Sequence, residues 1–385
     1  MLDFKHSPPL ALYIHIPWCV KKCPYCDFNS HVSGSTLPET HYVEALLADL
    51  EFELPKIWGR EIISVFIGGG TPSLFSAGAI DDLLSGLRAR LNLLPNIEIT
   101  LEANPGTVEQ GRFNEFRSCG INRLSIGVQS FQESQLKNLG RIHGKQEAMH
   151  AVEAAKLAGF DSINIDLMYG LPQQGADAAL SDLESAISLE PDHISHYQLT
   201  IEPDTAFHHR PPTLPNDDRI WDMQLRCQAR LAEAGYTQYE ISAYAREGHQ
   251  CIHNLNYWHF GDYVGIGAGA HQKLTMLQEQ QVRRSWKQRL PERYMNNVTK
   301  RTHIEGETIV DEGTLVSEFM LNALRLTAGF KPNLFYERAG LPVSRIAPVL
   351  ESAQAEGLID WTVTHIQPTA RGRQFLNELL LKFID

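Results

Sequence analysis

Short apolar segments alternate with amphipathic helical segments between about residues 11 and 200, and this alternation constrains the fold more than any other feature of the sequence. The predicted strands are residues 12–16, 64–67, 98–102, 123–128, 162–166 and 193–200. The predicted helices between them are residues 41–54, 77–91, 110–119, 145–157 and 177–189. Such alternation is typical of a parallel sheet covered by helices. Six repeats fit a closed or partly closed barrel, so we predict an α/β fold built on a partial (β/α)6 barrel.

Polar residues and glycines stand where the predicted strands end. They are Gly68, Gly69 and Gly70 after the second strand, Glu102 at the end of the third, Gln129 after the fourth, Asp166 at the end of the fifth, and Gln198 and Thr200 at the end of the sixth. Functional sites in parallel barrels lie at the C-terminal ends of the strands. We therefore expect these residues to converge at one mouth of the barrel. The alternative is that each is a local turn or capping residue.

The rest of the chain is predicted to contain a loop, a basic stretch and a small C-terminal module. Residues 203–215 hold four prolines and predict a loop, followed by a helix at 217–234 and a strand at 238–241. Residues 281–303 contain seven Lys or Arg and one acid. From residue 313 the pattern is helix, helix, a strand pair around 358–366 and a helix, which resembles a winged-helix module. The predicted domains are residues 1–240 (barrel), 241–312 (connecting region) and 313–385 (C-terminal module).

Charge and apolar patterning exclude two classes of function. The chain has 34 Lys and Arg against 46 Asp and Glu, a net charge of −12, which argues against a nucleic-acid partner because phosphates require a basic field. The C-terminal module is balanced, with seven basic and seven acidic residues. No apolar run approaches the ~20 residues that span a bilayer. Residues 1–9 lack the apolar stretch of a signal peptide, so we predict a cytoplasmic protein.

Three of the six cysteines, Cys19, Cys23 and Cys26, form a C-x3-C-x2-C segment directly after the first predicted strand. In a reducing compartment such a group indicates metal binding rather than disulfides. Thiolates are the ligands of iron–sulfur clusters, and three of them leave one iron of a [4Fe–4S] cube without a protein ligand. Zinc is the competing metal, but no fourth ligand follows at zinc-finger spacing. The isolated Cys119 and Cys227 are predicted to be packing residues.

The C-x3-C-x2-C segment resembles that of the radical S-adenosylmethionine (SAM) superfamily. In that superfamily the amine and carboxylate of SAM chelate the open iron, and one-electron reduction cleaves SAM to a 5′-deoxyadenosyl radical. Gly68-Gly69-Gly70-Thr71-Pro72 resembles the glycine-rich strand end at which backbone groups bind the amino group of SAM. Glycine lets a ligand approach the main chain closely. The resemblance therefore implies that SAM binds at this mouth.

Further segments narrow the resemblance to the oxygen-independent coproporphyrinogen oxidase group, over nearly the whole chain. They include Tyr13-Ile-His-Ile-Pro17, Glu102-Ala-Asn-Pro105, Ser125-Ile-Gly-Val-Gln129, Gly140-Arg-Ile-His143 and Asn164-Ile-Asp-Leu167. The resemblance implies that SAM is contacted by Tyr13, Tyr25, Gly69, Gly70, Thr71, Glu102, Gln129, Arg141 and Asp166. Carboxylates suit ribose hydroxyls or the amine, and an arginine suits the carboxylate of SAM. The alternative for Arg141 is a surface ion pair.

Two features resemble the heme chaperone branch of this group instead of its oxidases. The oxidases have a fourth cysteine two positions after the third, where this chain has Phe28. The stretch His253-Asn-Leu-Asn-Tyr-Trp258 resembles the HNxxYW signature of the chaperone branch. Imidazole is a common axial ligand of heme iron, so His253 is the predicted heme ligand, with Cys251 and His271 as further candidates. The alternative is that His253 is a surface or satisfied core histidine.

The resemblance implies a heme chaperone that binds heme and transfers it to an acceptor protein, on a core that holds a [4Fe–4S] cluster and SAM. A reductant protein is a further expected partner, and a membrane-associated respiratory enzyme is one candidate acceptor. The basic stretch at 281–303 either holds the heme propionates or is a solvated surface. The alternative function is a coproporphyrinogen III oxidase or another radical SAM oxidoreductase acting on a porphyrin. Whether the protein is an enzyme therefore stays open.

Overall fold

A computed structural model of the protein describes residues 2–106 and 110–384. Its strands are, in chain order, β1 (Leu10–Ile16), β2 (Trp18–Cys19), β3 (His31–Val32), β4 (Glu61–Gly69), β5 (Asn92–Ala103), β6 (Arg123–Gln129), β7 (Ser162–Tyr169), β8 (His193–Gln198), β9 (Thr237–Glu240), β10 (Ala243–Ala245), β11 (Asp262–Ile266), β12 (His271–Met276), β13 (Gln281–Lys287), β14 (Ile304–Val310), β15 (Ile359–Trp361) and β16 (Ile366–Pro368). Its α-helices are α1 (Glu39–Ile57), α2 (Ala77–Arg88), α3 (Gln110–Cys119), α4 (Glu133–Asn138), α5 (Lys145–Leu157), α6 (Ala176–Ser188), α7 (Ala206–His209), α8 (Asp217–Glu233), α9 (Ile252–Trp258), α10 (Pro291–Val298), α11 (Glu312–Ala323), α12 (Pro332–Ala339), α13 (Ala347–Ala355), α14 (Ala370–Gln374) and α15 (Leu376–Leu381). Short 3-10 helices form at Pro72–Leu74 and Val343–Arg345.

The six predicted strands form the parallel core, as β1, β4, β5, β6, β7 and β8 in consecutive sheet positions. The predicted fold class, a partial barrel of parallel strands with a small C-terminal module, is confirmed. Side chains alternate between the two faces of a strand. In β1, Leu12 and Ile14 therefore join the hydrophobic core beneath the helices, whereas Tyr13 and His15 lie on the inner face and hydrogen-bond each other. This alternation gives the barrel an apolar outside and a polar inside.

The sheet continues beyond the parallel core on both sides. Strand β11 pairs in parallel with β1, and β12, β13 and β14 follow it in antiparallel order. At the opposite edge, β10 pairs with β8 and β9 is outermost. Most of the region predicted as a connection, residues 241–312, thus extends the main sheet, and the domain division stays a prediction. The basic stretch within it forms β13, α10 and the turn that follows.

A buried cluster of charges attaches this sheet extension to α1. The ammonium of Lys287 lies 3.0 Å from Asp49 and 2.5 Å from Glu53, and all three side chains are excluded from solvent. Asp49 also accepts hydrogen bonds from His303 and Tyr294 at 2.8 Å each. Because a buried charge needs a partner, this network holds α1, β13 and the segment after α10 in one arrangement.

The C-terminal module packs around a second hydrophobic core, built mainly by α11, α12, α13, α15 and the β15–β16 pair and joined from outside the module by Phe4, Phe260, Val282 and Val310. Phe319 and Phe335 meet edge-to-face at 5.1 Å within it, and Leu350 is fully buried. The predicted strand pair is present, but three helices, α11 to α13, precede it and two, α14 and α15, follow it, whereas the sequence predicted two and one. None of the helices in the described part of the chain combines the length and apolar composition that a bilayer crossing requires.

Candidate functional site

A cavity of about 380 Å³ opens at the C-terminal ends of the parallel strands. All the predicted cluster and SAM residues except Tyr13 line it, namely Cys19, Cys23, Tyr25, Cys26, Gly69, Gly70, Thr71, Glu102, Gln129, Arg141 and Asp166. The convergence predicted from the strand ends is therefore observed. Gln198 and Thr200 line the same cavity.

The loop that carries the three cysteines is attached to the end of β4 by backbone hydrogen bonds. Gly70 donates to the carbonyl of Ile16 at 2.8 Å and Thr71 to that of Trp18 at 2.7 Å. A Cβ at Gly70 would lie 2.5 Å from the Trp18 carbonyl oxygen, so only glycine permits this approach. The glycine triplet therefore brings the cysteine loop against the end of the sheet.

The three cysteine side chains are free thiols and half-buried at the cavity wall. Burial raises the pKa of Cys19 and of Cys26. Within the described residues, no three His, Cys, Asp or Glu side chains converge closely enough to share one metal ion. A single zinc ion would require such convergence. In an iron–sulfur cube each thiolate binds a different iron, so a cluster does not require the three thiolates to converge on one ion.

Two carboxyl groups form the floor of the cavity. Glu102 accepts a hydrogen bond from the backbone N–H of Gly69 at 2.9 Å. Burial, with a smaller contribution from the neighbouring Asp166, raises the pKa of Glu102 to about 8. Asp166 accepts hydrogen bonds from Ser125 at 3.1 Å and from Asn164 at 2.8 Å, and burial raises its pKa as well. Two desolvated carboxyl groups at one mouth favour a cationic or hydroxyl-bearing ligand.

The guanidinium of Arg141 lies at the opposite wall, beside the cysteine loop. It donates to the side chain of Asn104 at 2.6 Å and to the carbonyl of Gly127 at 2.5 Å, and one nitrogen lies 3.7 Å from the sulfur of Cys23. Its Nε is buried and has no hydrogen-bond partner among the described residues. The surface ion pair that the sequence left open is not formed there. An uncompensated buried cation suits an anionic ligand group.

One wall of the cavity is aromatic and apolar, which the sequence did not reveal. Tyr197 at the end of β8 donates to Gln129 at 2.6 Å and lines the cavity with Met168 and Leu199. Gln129 has a φ of 69°, which is strained for a residue other than glycine. Functional residues lie at the C-terminal ends of parallel strands, and Tyr197 faces inward near the end of the sixth strand, so the sequence could have predicted it.

His253 does not reach this cavity. Its imidazole is 1% exposed, lies inside the barrel below the mouth, bonds Ser64 at 3.0 Å through Nδ1 and stacks on Phe66 at 5.0 Å. Burial lowers its pKa to about 3. Tyr13 lies in the same interior, 6.5 Å from it between ring centroids. The sequence predicted His253 of this motif as the heme ligand, whereas the structure buries its side chain inside the barrel.

Helix α9, which carries this motif, begins at a buried carboxylate. Glu98 accepts the backbone N–H groups of Ile252 at 3.1 Å and His253 at 3.0 Å, and the thiol of Cys251 lies 3.6 Å away. A carboxylate at a helix N-terminus is favourable because it faces the positive end of the helix dipole. Cys251 is fully buried, whereas His271 at the start of β12 is exposed.

Several cations of the basic stretch are already paired. Arg283 contacts Glu279 and Glu307, Arg284 contacts Glu318 at 2.7 Å, and Lys287 belongs to the buried charge cluster. These contacts reduce the number of cations that the stretch offers to a ligand. Arg289 is exposed.

Comparison with known proteins gives matches over the whole chain. Residues 13–184 match the Radical SAM superfamily model, and residues 310–375 match the HemN C-terminal domain model. The chain is 50% identical over 377 residues to the heme chaperone HemW of Escherichia coli K12, covering 98% of each chain. It is 48% identical to the heme chaperone HemW of Haemophilus influenzae, again over 98% of each. The identity to the Bacillus subtilis heme chaperone HemW is 31%, over 97% of this chain and 99% of that one.

A solved structure supports the fold. The chain superposes on the coproporphyrinogen III oxidase HemN of Escherichia coli, described as a radical SAM enzyme, with a TM-score of 0.82. The match covers 98% of this chain and 90% of the oxidase at 24% identity. At 24% identity, this similarity supports a shared fold and not a shared activity.

Proposed function

Because the chain belongs to the HemW family of heme chaperones, a branch of the radical SAM superfamily, we propose that it binds heme and transfers it to an acceptor protein. The observation that carries this proposal is the 50% identity to the Escherichia coli chaperone over 98% of both chains. The oxidase resemblance, at 24% identity, concerns the fold. Phe28 occupies the position where the oxidases have a fourth cysteine, and its side chain is 58% exposed beside the cavity.

Proteins of the radical SAM superfamily hold a [4Fe–4S] cluster and SAM. In this chain Cys19, Cys23 and Cys26 would hold the cluster, and the cavity beside them would hold SAM. When bound, the cluster and SAM together supply a one-electron reductive cleavage. All three cysteines are free thiols that line one cavity, which supports the cluster assignment.

The residues around the cavity would orient SAM by charge. Glu102 and Asp166 would accept the amine or ribose hydroxyls, because both carboxyl groups face a ligand at the barrel floor. The guanidinium of Arg141, which lines the cavity, would donate to the carboxylate. Gly69 would offer SAM a backbone group, and Thr71 would offer its hydroxyl. Tyr25, Gln129 and Gly70 would line the remaining walls of the SAM site. Tyr13 lies deeper and would act through the barrel interior rather than by lining the cavity.

Heme is the proposed cargo, and its delivery requires two protein partners. One is an acceptor, for which a membrane-associated respiratory enzyme is a candidate. The other is a protein that reduces the cluster. A cytoplasmic location would suit the cysteines, all of which are free thiols. His253 could bind heme iron only after α9 leaves the barrel, because its ring is enclosed by Ser64 and Phe66.

The decisive experiment assays one anaerobically reconstituted preparation for two properties. Heme is titrated and followed by the Soret band, and coproporphyrinogen decarboxylation is measured on the same protein. We expect about one heme per chain and no decarboxylation. A protein that converts coproporphyrinogen and binds no heme would overturn the chaperone proposal in favour of the oxidase.

A further inference from the structure

An exposed histidine and a tryptophan stand side by side at the mouth end of the sheet extension. Strand β11 runs parallel to β1 and ends at the mouth, so β12 begins there with His271. His271 lies opposite Trp286 in the β12–β13 register. Their rings are 6.1 Å apart and inclined by 20°. We call the patch formed by His271, Trp286 and Arg289 the His271 surface.

The Trp286 ring is held in place by a glycine on the next strand. Gly306 of β14 lies opposite Trp286, and a Cβ there would be 2.2 Å from Cζ2 of the indole. The ring therefore covers the backbone of β14. Arg284, on the same face of β13, donates to Tyr263 at 3.0 Å, and Tyr263 contacts Tyr257 of α9 at 4.5 Å. The face that carries Trp286 thus continues into the barrel interior.

The His271 surface adjoins the loop that carries the three cysteines. The side-chain amide of Asn29 donates to the carbonyls of Ala268 and Arg289, at 2.9 Å each. His31 bonds the same Arg289 carbonyl at 3.2 Å. These bonds attach two parts of the surface to the cysteine loop. One is the turn before His271, and the other is Arg289, two residues after the end of β13.

The surroundings of the His271 surface are both apolar and cationic. Leu290 directly follows Arg289 and is 57% exposed, and Val32 directly follows His31 and is 62% exposed. Arg289 is itself exposed. Heme is a flat apolar macrocycle with an iron that takes imidazole and two anionic propionates. The patch offers one group for each of these properties.

We propose that the His271 surface is the site at which the protein binds heme, with His271 as the iron ligand and Arg289 as a propionate partner. This inference rests on the proposed chaperone function. An axial imidazole stands perpendicular to the macrocycle, so the nearly parallel Trp286 ring meets the macrocycle edge-on, a favourable aromatic geometry. Partial desolvation of the ring, followed by the charges of Arg284 and Arg289, lowers the pKa of His271, and the neutral imidazole is the form that binds iron.

The exposed location of the His271 surface is compatible with heme transfer to another protein, whereas a buried heme ligand is not. Heme on the His271 surface lies beside the cysteine loop and is reachable from solvent, so it can be handed to another protein without unfolding α9. His253 and Cys251, by contrast, are 1% and 0% exposed. Of these three candidate ligands, only His271 is exposed and needs no rearrangement to meet the macrocycle.

The test compares heme binding by the wild type and four variants of the full chain at matched cluster content. The variants are His271→Ala, His271→Gly, His253→Ala and, as a control on the exposed face of α5, His150→Ala. Hemin is titrated and followed by the Soret band and by EPR. We expect His271→Ala to weaken hemin binding by about tenfold or more and to lose the imidazole-ligated spectrum. Imidazole added to His271→Gly should restore that spectrum, whereas a merely structural role would not respond to it.

The outcomes separate this inference from the proposed function. Suppose that the wild type binds hemin, that His271→Ala binds it equally well, and that His253→Ala loses it at unchanged thermal stability. This result would overturn the His271 surface as the heme site but not the chaperone function. A wild type that binds no hemin overturns both. Metal-free protoporphyrin supplies a second readout: its binding should depend on Arg289 and be insensitive to His271→Ala, because no iron bond is involved.

Discussion

Single residues determine the chemistry of the cavity wall. Gly70 permits the contact with the Trp18 carbonyl that places the cysteine loop, and Gly69 donates its N–H to Glu102. Glu102 and Arg141 then line the same cavity, and the buried Nε of Arg141 has no hydrogen-bond partner among the described residues. Because buried charges without full partners are unfavourable, such residues indicate a ligand that completes them.

The cysteine loop provides the first prediction at this scale. Three thiolates are the fewest that hold a cube with one open iron, so Cys23→Ala should abolish the visible absorbance of the cluster after anaerobic reconstitution. Iron content measured per chain should fall with it. Cys119→Ala is the matched control and should keep the wild-type iron content, because Cys119 lies on α3, away from the cavity. About four irons retained per chain in Cys23→Ala would remove these cysteines from the site.

The second prediction concerns SAM. Replacing Glu102 by Ala removes a buried carboxyl group from the cavity floor, a loss of roughly 1–3 kcal/mol of ligand binding for a charged hydrogen bond. SAM affinity measured by anaerobic calorimetry should drop about tenfold or more, with unchanged iron content. Glu247→Ala, an exposed acid after β10, should bind SAM like the wild type. Equal affinities in all three proteins would place Glu102 outside the site.

At the scale of elements, α9 closes the inside of the barrel. Its N-terminus faces Glu98, its histidine fills the space beside Phe66, and Asn256 donates to the carbonyl of Asp262 at 2.8 Å. Gly261 donates back to the carbonyl of Asn256 at 2.7 Å. The histidine of the HNxxYW motif therefore binds the protein's own barrel, and its second asparagine, Asn256, binds the turn into β11.

The turn after α9 should be intolerant of a larger residue. A Cβ at Gly261 would lie 1.9 Å from the Oδ1 of Asn256, whereas a Cβ at Gly78 in α2 would meet open space. Gly261→Ala should therefore lose about 1–3 kcal/mol of stability by overpacking. Gly78→Ala should gain up to about 1 kcal/mol from helix propensity. The measurement is the melting temperature of each variant as cluster-free protein, compared with that of the wild type. A wild-type melting temperature for Gly261→Ala would contradict this account of α9.

At the scale of the whole molecule, the barrel has a polar interior, and this makes the stability of the fold depend on pH. Several histidines are buried neutral in or beside its interior. Burial lowers the pKa of His253 to about 3 and of His196 to about 4, and that of His193 well below its ordinary 6.5. The unfolded chain takes up protons at these residues, whereas the folded chain does not. Their contribution to the free energy of unfolding is therefore complete above pH 6.5 and is lost as the pH falls from about 6.5 toward 4 for His196 and toward 3 for His253.

The melting temperature of the cluster-free protein should accordingly fall steeply between pH 7 and pH 5. Each buried neutral histidine adds about 1.4 kcal/mol per pH unit to the slope within its own window. His196→Gln removes one such group and should flatten the curve, and the exposed His150→Gln should not. A melting temperature that does not change between pH 7 and pH 5 would show that these histidines titrate alike in both states.

The sequence by itself determined the parallel core, the cavity mouth and the family. Strand periodicity, strand polarity and cysteine spacing are local properties, so the apolar strands β1 and β4 to β8 and the residues that follow each of them could be read without coordinates. For the same reason the placement of Glu102, Gln129 and Asp166 at one mouth followed from the ends of neighbouring parallel strands.

Only the tertiary structure decided which side of each later element faces solvent. Lys287, one of the cations expected on a basic surface, is buried against Asp49 and Glu53 of α1, and His253 is enclosed by β4. The apposition of His271 with Trp286, and of both with the cysteine loop, likewise depends on β12 and β13 joining the sheet beside β11. These contacts join residues far apart in the chain, and burial is a property of the partner that covers a side chain rather than of the side chain itself.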